Sequence, residues 1–474
     1  QEVQQIMLQP VTDVSLLPVH IVEAASSLQQ AAQVMTEAKM KHVLVRPLAD
    51  KANNISDSPL GILTDTDVCR AVSDRQDPAT TPCQDYASFN LRTINADSEI
   101  GDALLTMTRY RIHRLPVLDD SGQVAGILGQ SNMLAYIGQH SQLISIQIEQ
   151  AKDFASIDTA VELIGRYIRA QQQNGVKIGN VSRMVQTLNA QVFTKLWQLI
   201  VPEEVFDNTC VIVMGSEGRG EQIMRTDQDN ALIIRDGFSH PNLAEFADSF
   251  NQQLAALGYP LCDGNIMASN PKLRLSLEEA IEEAKRWVKA PTKDAIMHFN
   301  IFLDVRCAAG DISLFKQLQR QRAPLMKQNM FLAALTRNSN EISVPLSMFQ
   351  KFIYEKGRKE KDVIDLKTRA VALINNIARI YALADGVTLP NTLARLDALS
   401  ENSQLSKRDA TNLRDIWLFL NRLRWRHQLE NKVTDNRVSV SSLSSIEKHQ
   451  LKAAFKAIER TNQAMVMKFS GGVS

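Results

Sequence analysis

Apolar positions along the first 140 residues recur in two matching registers. "SLQQAAQVMTEAKMKHVLVRP" (27–47) carries apolar residues at three- and four-residue intervals, then a short β-branched run. "GILTDTDVCRAV" (61–72) follows as a glycine turn, an apolar run and a second helical stretch. The same order returns in "EIGDALLTMTRYRIHRLPVLD" (99–119) and "GILGQSNMLAYI" (126–137). Each copy predicts helix, strand, strand, helix. A unit of roughly 60 residues buries little core alone, so the two copies should pack together.

The pattern then becomes helical from about 140 to 208, as in "LISIQIEQAKDFASIDTAVELIGRYIRAQQ" (143–172), which predicts a helical connector. Beyond it, "TCVIVMG" (209–215), "NALIIRDG" (230–237) and "HFNIFLDVRCAAGD" (298–311) predict three buried strands. Between the first two strands and the third, "PNLAEFADSFNQQLAALG" (241–258) predicts an amphipathic helix closed by Gly258. From 311 onward the spacing is almost wholly helical. In "NLRDIWLFLNRLRWRHQLE" (412–430), Leu413, Ile416, Trp417, Leu420 and Leu423 form one core-facing stripe, and the arginines are expected on the solvated face.

Candidate chemistry concentrates in "VMGSEGRGEQIMRTDQDNALII" (213–234). With strand geometry entered just before Asn230, Asp227 and Asp229 stand two residues apart and point to one side. Two carboxylates on one face repel unless a cation lies between them, and Mg²⁺ prefers oxygen ligands shared with substrate phosphates. Gly215 permits close backbone approach, and Ser216 offers a hydroxyl and an N–H to a phosphate oxygen. Gly218 and Gly220 keep the turn narrow, while Arg219 and Arg225 can neutralise phosphate charge. The plain alternative is an acidic turn. Asp304, flanked by apolar residues, reads on its own as a strand-end residue paired with Arg306. Cys262 reads as a packing residue, and the segment around it and Asn265 is expected to shape a nucleotide pocket.

Composition narrows the function classes. The chain has 474 residues, 44% apolar and 22% charged, with a formal net charge of +1. Its length suits about three domains, and its near-neutral balance supplies no field for nucleic acid or a membrane surface. A template-directed polymerase is disfavoured on that ground. Five cysteines (Cys69, Cys83, Cys210, Cys262, Cys307) show no ligand spacing and suit a reducing cytoplasm. No apolar run approaches the roughly 18 residues of a membrane span. A chain opening on Gln1 rather than Met reads as one whose natural start lies upstream.

The repeated halves resemble a CBS-domain pair (about 10–72 and 83–138). In such pairs that bind adenine nucleotides, a hydroxyl and an aspartate after the Gly-Ile-Leu turn contact phosphate and ribose. The resemblance therefore implies Thr64 and Asp67 as ligand contacts, with Gly129 and Asn132 making the second half weaker. Thr64 and Asp67 also fit a simple helix cap.

Gly-Ser followed by Asp-x-Asp resembles the nucleotidyltransferase signature of the DNA polymerase β superfamily, closest to its PII-uridylyltransferase and glutamine-synthetase-adenylyltransferase branch. "DGNIMASNPKLRLSLEEA" (263–280), "IFLDVRCAAGD" (301–311) and "NTLARLDAL" (391–399) extend the likeness to the CBS-containing nucleotidyltransferases of bacterial signalling. The resemblance implies an α+β multidomain chain. Residues 1–140 would be the CBS pair of αββα repeats, 141–208 a helical connector, 209–310 a polymerase-β-like mixed sheet, and 311–474 a helical substrate-binding or accessory bundle. It implies a Mg²⁺- or Mn²⁺-dependent cytoplasmic enzyme with Asp227, Asp229 and Asp304 as catalytic metal ligands. Gly215, Ser216, Arg219, Arg225 and Asn265 would hold the NTP, whose nucleotidyl group passes to a protein or small-molecule acceptor. Relatives often carry an upstream cyclic-nucleotide-binding domain, which these residues lack. An adenine nucleotide on the CBS pair, within a homodimer, is the expected regulator. The alternative is a non-catalytic nucleotide-sensing scaffold.

Overall fold

The computed structural model describes residues 10–48, 60–137, 140–173, 178–356, 362–399 and 401–470; Gln1 lies outside them. The chain divides into two compact units, Gln1–Leu143 and Ile144–Ser474.

In the first unit the repeat is visible as two similar three-stranded sheets. The first contains β1 (Ile21–Glu23), α1 (Leu28–Ala38), β2 (His42–Arg46), β3 (Gly61–Thr64) and α2 (Asp65–Ser73). The second contains β4 (Ile94–Asn95), α3 (Ile100–Tyr110), β5 (Arg114–Leu118), β6 (Val124–Gly129) and α4 (Gln130–Ile137). Within each sheet the first strand pairs parallel to the second and the second antiparallel to the third. The leading strands β1 and β4 are two or three residues long, too short for a two-residue period to reveal. Ser27 and Gln30 close a capping box on α1, which fixes where the helix starts. Its apolar face (Leu28, Ala31, Met35) then packs with Val43, Val45 and Leu63 of the sheet.

Helix α5 (Ser141–Gln150) spans the division, and the second unit continues with α6 (Phe154–Gln173), α7 (Ile178–Ile200) and α8 (Glu203–Asp207). A four-stranded mixed sheet follows, built from β7 (Thr209–Val213), β8 (Asn230–Ile234), β9 (Arg274–Ser276) and β10 (Arg306–Gly310) in the order β10-β7-β8-β9. β7 is antiparallel to both neighbours, and β8 runs parallel to β9. Intervening helices are α9 (Gly215–Arg219), α10 (Leu243–Ala256), α11 (Leu277–Lys289) and α12 (Lys293–Leu303). Cys210, Ile212, Ala231 and Ile233 face a core that includes Leu277 and Ile281 of α11, with Leu314, Phe315 and Leu318 from the helix after β10. α7 packs against β10, and its buried Trp197 meets Phe250 of α10 edge-on. The helical stretch, expected to pack against the domain that follows it, thus meets this sheet through α7.

Residues 298–311 depart from the expected single strand. Thr292 caps α12 by accepting from the Ala295 N–H, so the chain stays helical through Leu303 and turns at Asp304 before β10 begins. An apolar run of this length suits a buried helix end as well as a strand.

The remainder is helical: α13 (Ile312–Met326), α14 (Asn329–Ser339), α15 (Ala372–Asp385), α16 (Thr392–Ala398), α17 (Lys407–Asn431) and α18 (Ser445–Phe469). A small antiparallel pair, β11 (Val363–Asp365) with β12 (Arg437–Ser439), joins it, and a π-helical turn at Lys367–Val371 leads into α15. The architecture is α+β and multidomain, with a helical C-terminal region.

Candidate active site

The site begins where β7 ends. Gly215 has φ +61°, and a Cβ there would lie 3.0 Å from Asp229 Oδ2. Both the left-handed backbone and the nearness of the carboxylate therefore call for glycine. Gly218 is held even more tightly: a Cβ would meet the Asp304 carbonyl oxygen at 2.0 Å and that of Val213 at 2.7 Å. The glycines let the short helix α9 sit between the two acidic segments.

On the other side of the turn, "DQDN" alternates in burial. Asp227 is exposed and Asp229 half-buried, while Gln228 and Asn230 are buried. The inward amides explain the outward acids. Gln228 Nε2 donates to the carbonyls of Asn251 and Tyr259, both at 2.9 Å. Asn251 Nδ2 donates to Gln228 Oε1 (2.8 Å) and Asn230 Oδ1 (2.9 Å). Asn230 Oδ1 also accepts from the Ala268 N–H at 2.8 Å. This network locks residues 259–269 to the start of β8, and buried networks with satisfied partners are rigid. Asp227 and Asp229 precede β8 rather than lying in it, yet the extended alternation keeps them on one side, as the two-residue spacing suggested.

Asp229 is the more enclosed of the pair. Burial raises its proton affinity, partly countered by the Cys262 thiol, which donates to Oδ1 at 3.5 Å. Lys367 and Arg219 lower it further, whereas the neighbouring Asp227 charge raises it. Cys262 thus touches the candidate carboxylate, a role beyond packing. Asn265 sits on the same loop at φ +55°, exposed, with its N–H bonded to the Cys262 carbonyl at 2.9 Å.

Asp304 needs correction as a metal ligand. It is 1% exposed and surrounded by arginines. Oδ1 accepts from Arg395 Nη1 (2.7 Å) and Arg379 Nε (2.9 Å), and Oδ2 from Arg219 Nη1 (2.8 Å) and Arg379 Nη2. Burial alone would push this carboxyl up, but Arg379, Arg395 and Arg219 outweigh it and hold it well below the ordinary range. Both oxygens are thereby occupied, and Asp304 is not gathered with Asp227 and Asp229. Nor does it pair with Arg306, whose Nη2 binds Glu217 Oε1 at 2.6 Å. The cage ties the sheet's turn to α15 and α16. Glu221 reinforces that tie, accepting from Arg219 Nε (2.8 Å) and from the Thr392 N–H (2.7 Å).

The two arginines expected on phosphate are engaged within the protein. Arg219 serves Asp304 and Glu221, and Arg225 Nη1 donates to the Leu257 carbonyl at 2.7 Å. Ser216 Oγ donates to Gln222 Oε1 at 3.1 Å. The arginines of α17 do not all face solvent either: Arg424 is only 7% exposed. Helical spacing could have found it, because Arg424 lies four residues after Leu420 and seven after Trp417, within the apolar stripe.

In the first unit, Thr64 and Asp67 form a capping box at the start of α2. The Thr64 N–H and hydroxyl both donate to Asp67 Oδ2 at 2.9 Å, and Arg70 Nη2 reaches Asp67 Oδ1 at 3.2 Å.

As for a divalent cation, no three His, Cys, Asp or Glu side chains converge as a metal site among the described residues. Asp227 and Asp229 nevertheless fit Mg²⁺, which commonly takes one or two carboxylates and completes its shell with water and substrate phosphates.

Comparison with known proteins follows the same division. Residues 162–294 match the family described as "Putative nucleotidyltransferase DUF294", and residues 329–469 its "Putative nucleotidyltransferase substrate binding domain". Residues 5–74 and 83–139 match the CBS domain. An uncharacterised protein of Methanopyrus kandleri is 34% identical over 82 residues, covering 17% of this chain and 42% of that protein. A 17.7 kDa uncharacterised protein of Acidianus ambivalens is 24% identical over 147 residues, 31% of this chain and 84% of its own length. Among solved structures, a conserved protein from Pyrococcus horikoshii is similar at 23% identity and TM-score 0.24, over 28% of this chain and 93% of that one. A CBS domain protein of Pyrobaculum aerophilum complexed with AMP is similar at 16% identity and TM-score 0.23, over 26% and 89%. Among the described residues no helix is long and apolar enough to cross a membrane. The chain thus joins a CBS-domain pair to two regions similar to the domains described as "Putative nucleotidyltransferase DUF294" and "Putative nucleotidyltransferase substrate binding domain".

Proposed function

We propose that the chain transfers a nucleoside monophosphate from an NTP to a hydroxyl-bearing acceptor, in the manner of protein uridylyl- or adenylyltransferases. The observation that carries this reading is the approach of Asp229 to Gly215, with the exposed Asp227 two residues before it.

Asp227 and Asp229 would hold Mg²⁺, which supplies neutralisation of the phosphates and of the leaving group. The chain's own residues do the rest. The amide network of Gln228, Asn230 and Asn251 fixes both carboxylates before substrate arrives, so little is spent on reorganisation. The Cys262–Asn265 loop flanks Asp229 and would border the nucleotide. An acceptor oxygen bonds to the α-phosphorus as the bond to the β-phosphate bridging oxygen breaks; pyrophosphate departs and the acceptor proton is released to solvent. The substrate-binding domain, joined to the turn through the Asp304 cage, would present the acceptor.

We further propose that an adenine nucleotide binds the CBS pair near Thr64 and Asp67 and alters NTP affinity in a homodimer. Reciprocity then requires each ligand to shift the other's affinity by the same factor. A second reading, a non-catalytic nucleotide sensor, draws support from the caging of Asp304, which leaves two carboxylates outside the arginine cage where three were expected. Incubation with NTPs labelled at the α-phosphate, Mg²⁺ and cell lysate separates the two: a labelled acceptor supports transfer, and saturable NTP binding without any labelled product supports the sensor.

A further inference from the structure

One face of α17 carries polar atoms that the protein itself does not satisfy. Asn421 Oδ1, Arg424 Nε and Trp425 Nε1 are all buried without a hydrogen-bond partner among the described residues. Positions i, i+3 and i+4 share a helix face, so the three belong to one surface. Arg424 is the costly member: it makes no hydrogen bond or ion pair to any described residue, and Glu221 and Asp365 offset its burial only from a distance.

A second cation adjoins it. The π-helical turn at Lys367–Val371 packs against α17. Lys367 is half-buried, with no hydrogen bond or ion pair to any described residue. Burial depresses the Lys367 ammonium, and Arg424 repels its charge further. Burial likewise brings Arg424 down to about 10. Asp229 lies within electrostatic reach of Lys367, and Arg219 is close enough to act on both. Arg219 is already neutralised by Asp304 and Glu221. Lys367 therefore stands within electrostatic reach of the carboxylate of the candidate catalytic turn, and Arg424 within reach of Lys367; both come from the domain described as substrate-binding.

We propose that Lys367 and Arg424 seat the β- and γ-phosphates of the incoming nucleoside triphosphate, so that the C-terminal domain completes the nucleotide site. This rests on the nucleotidyltransferase reading above and deepens it. The phosphates supply the direct anionic partner that Glu221 and Asp365 do not give the buried guanidinium, and a polyphosphate offers enough acceptor oxygens for both side chains. It also explains why Arg219 and Arg225 can be committed elsewhere without stripping the site of cations.

The test is calorimetric titration of the full chain, in Mg²⁺, with inorganic tripolyphosphate and with CTP, GTP and UTP. Lys367→Gln and Arg424→Met should each weaken tripolyphosphate and the preferred NTP by about tenfold to a hundredfold, the usual loss for a charged hydrogen bond. Arg424→Met should also raise the thermal midpoint of the ligand-free chain, because it removes an unpaired buried charge; a purely structural arginine would lower it. Lys367 is partly exposed and unpaired, so Lys367→Gln keeps the test valid even where Arg424→Met fails to fold. Unchanged affinity in Lys367→Gln, with wild-type binding intact, overturns this inference and leaves the transferase reading standing. Lys367-dependent tripolyphosphate binding without any nucleotidyl transfer keeps the inference and overturns the transferase reading. A wild-type chain that binds neither tripolyphosphate nor any NTP overturns both.

Discussion

Asp304 and Asp229 are two acidic residues on either side of the same glycine turn, and their surroundings could hardly differ more. Asp304 has both oxygens bound by three arginines and is held far on the ionised side. Asp229 receives one weak thiol donor, sees another carboxylate two residues away, and binds protons more readily than an ordinary aspartate. The first is a fastener whose charge is fully used inside the protein. The second is a half-buried carboxylate that no arginine or lysine binds directly. Residue type alone does not separate them, because the sum of neighbouring charges decides the role.

The largest expected effect comes from breaking the fastener. Asp304→Asn should cost about 3–5 kcal/mol, the usual result of leaving buried partners uncompensated, measured by denaturant unfolding. The pH dependence has a definite sign. A depressed folded-state value means that the stabilisation is present above the unfolded value of about 3.9 and is lost as pH falls below it. Wild type should therefore lose stability steeply below about pH 4, and Asp304→Asn should show a flatter slope in that window.

Gly218→Ala should come next. Its Cβ would collide with backbone oxygens of Asp304 and Val213, and overpacking of this kind typically costs about 1–3 kcal/mol. A normal unfolding midpoint for this variant would show that the turn is looser than the cage implies. A smaller loss, about 1 kcal/mol, is expected for Thr64→Ala, which removes the cap of α2. Asp67→Ala should in addition weaken AMP, ADP or ATP binding to the chain; absence of any titratable adenine nucleotide would reduce Thr64 and Asp67 to capping alone.

The smallest stability effect sharpens the contrast from the other side. Asp227→Asn combined with Asp229→Asn should leave the metal-free chain as stable as wild type or slightly more so, because it relieves like-charge repulsion. A loss comparable to that of Asp304→Asn would mean that the pair is structural after all.

Much of this was legible beforehand, for identifiable reasons. The repeated helix–strand–strand–helix pattern announced the first unit, since both periods are set by side chains on one element. A spacing of two marked Asp227 and Asp229 as residues that share one side of an extended segment. The partners of a carboxylate could not be read in this way. Arg379 and Arg395 lie 75 and 91 residues from Asp304, and no local period encodes so distant a pairing. The inward amides Gln228 and Asn230 were hidden by their polarity, which suggested a solvated turn where the fold uses them as a buried clasp. Arg424 was misplaced on similar grounds: a charged residue within an apolar stripe reads as exposed until the stripe's neighbours are known.

The central claim is that Asp227 and Asp229, and not Asp304, carry the chemistry. It is tested most directly by following transfer of an α-phosphate-labelled NTP to acceptors in cell lysate with Mg²⁺, using wild type beside Asp227→Asn/Asp229→Asn at matched folded concentration. The account predicts a labelled acceptor with wild type and none with the double variant, whose fold remains intact. Equal labelling by the two proteins would contradict it.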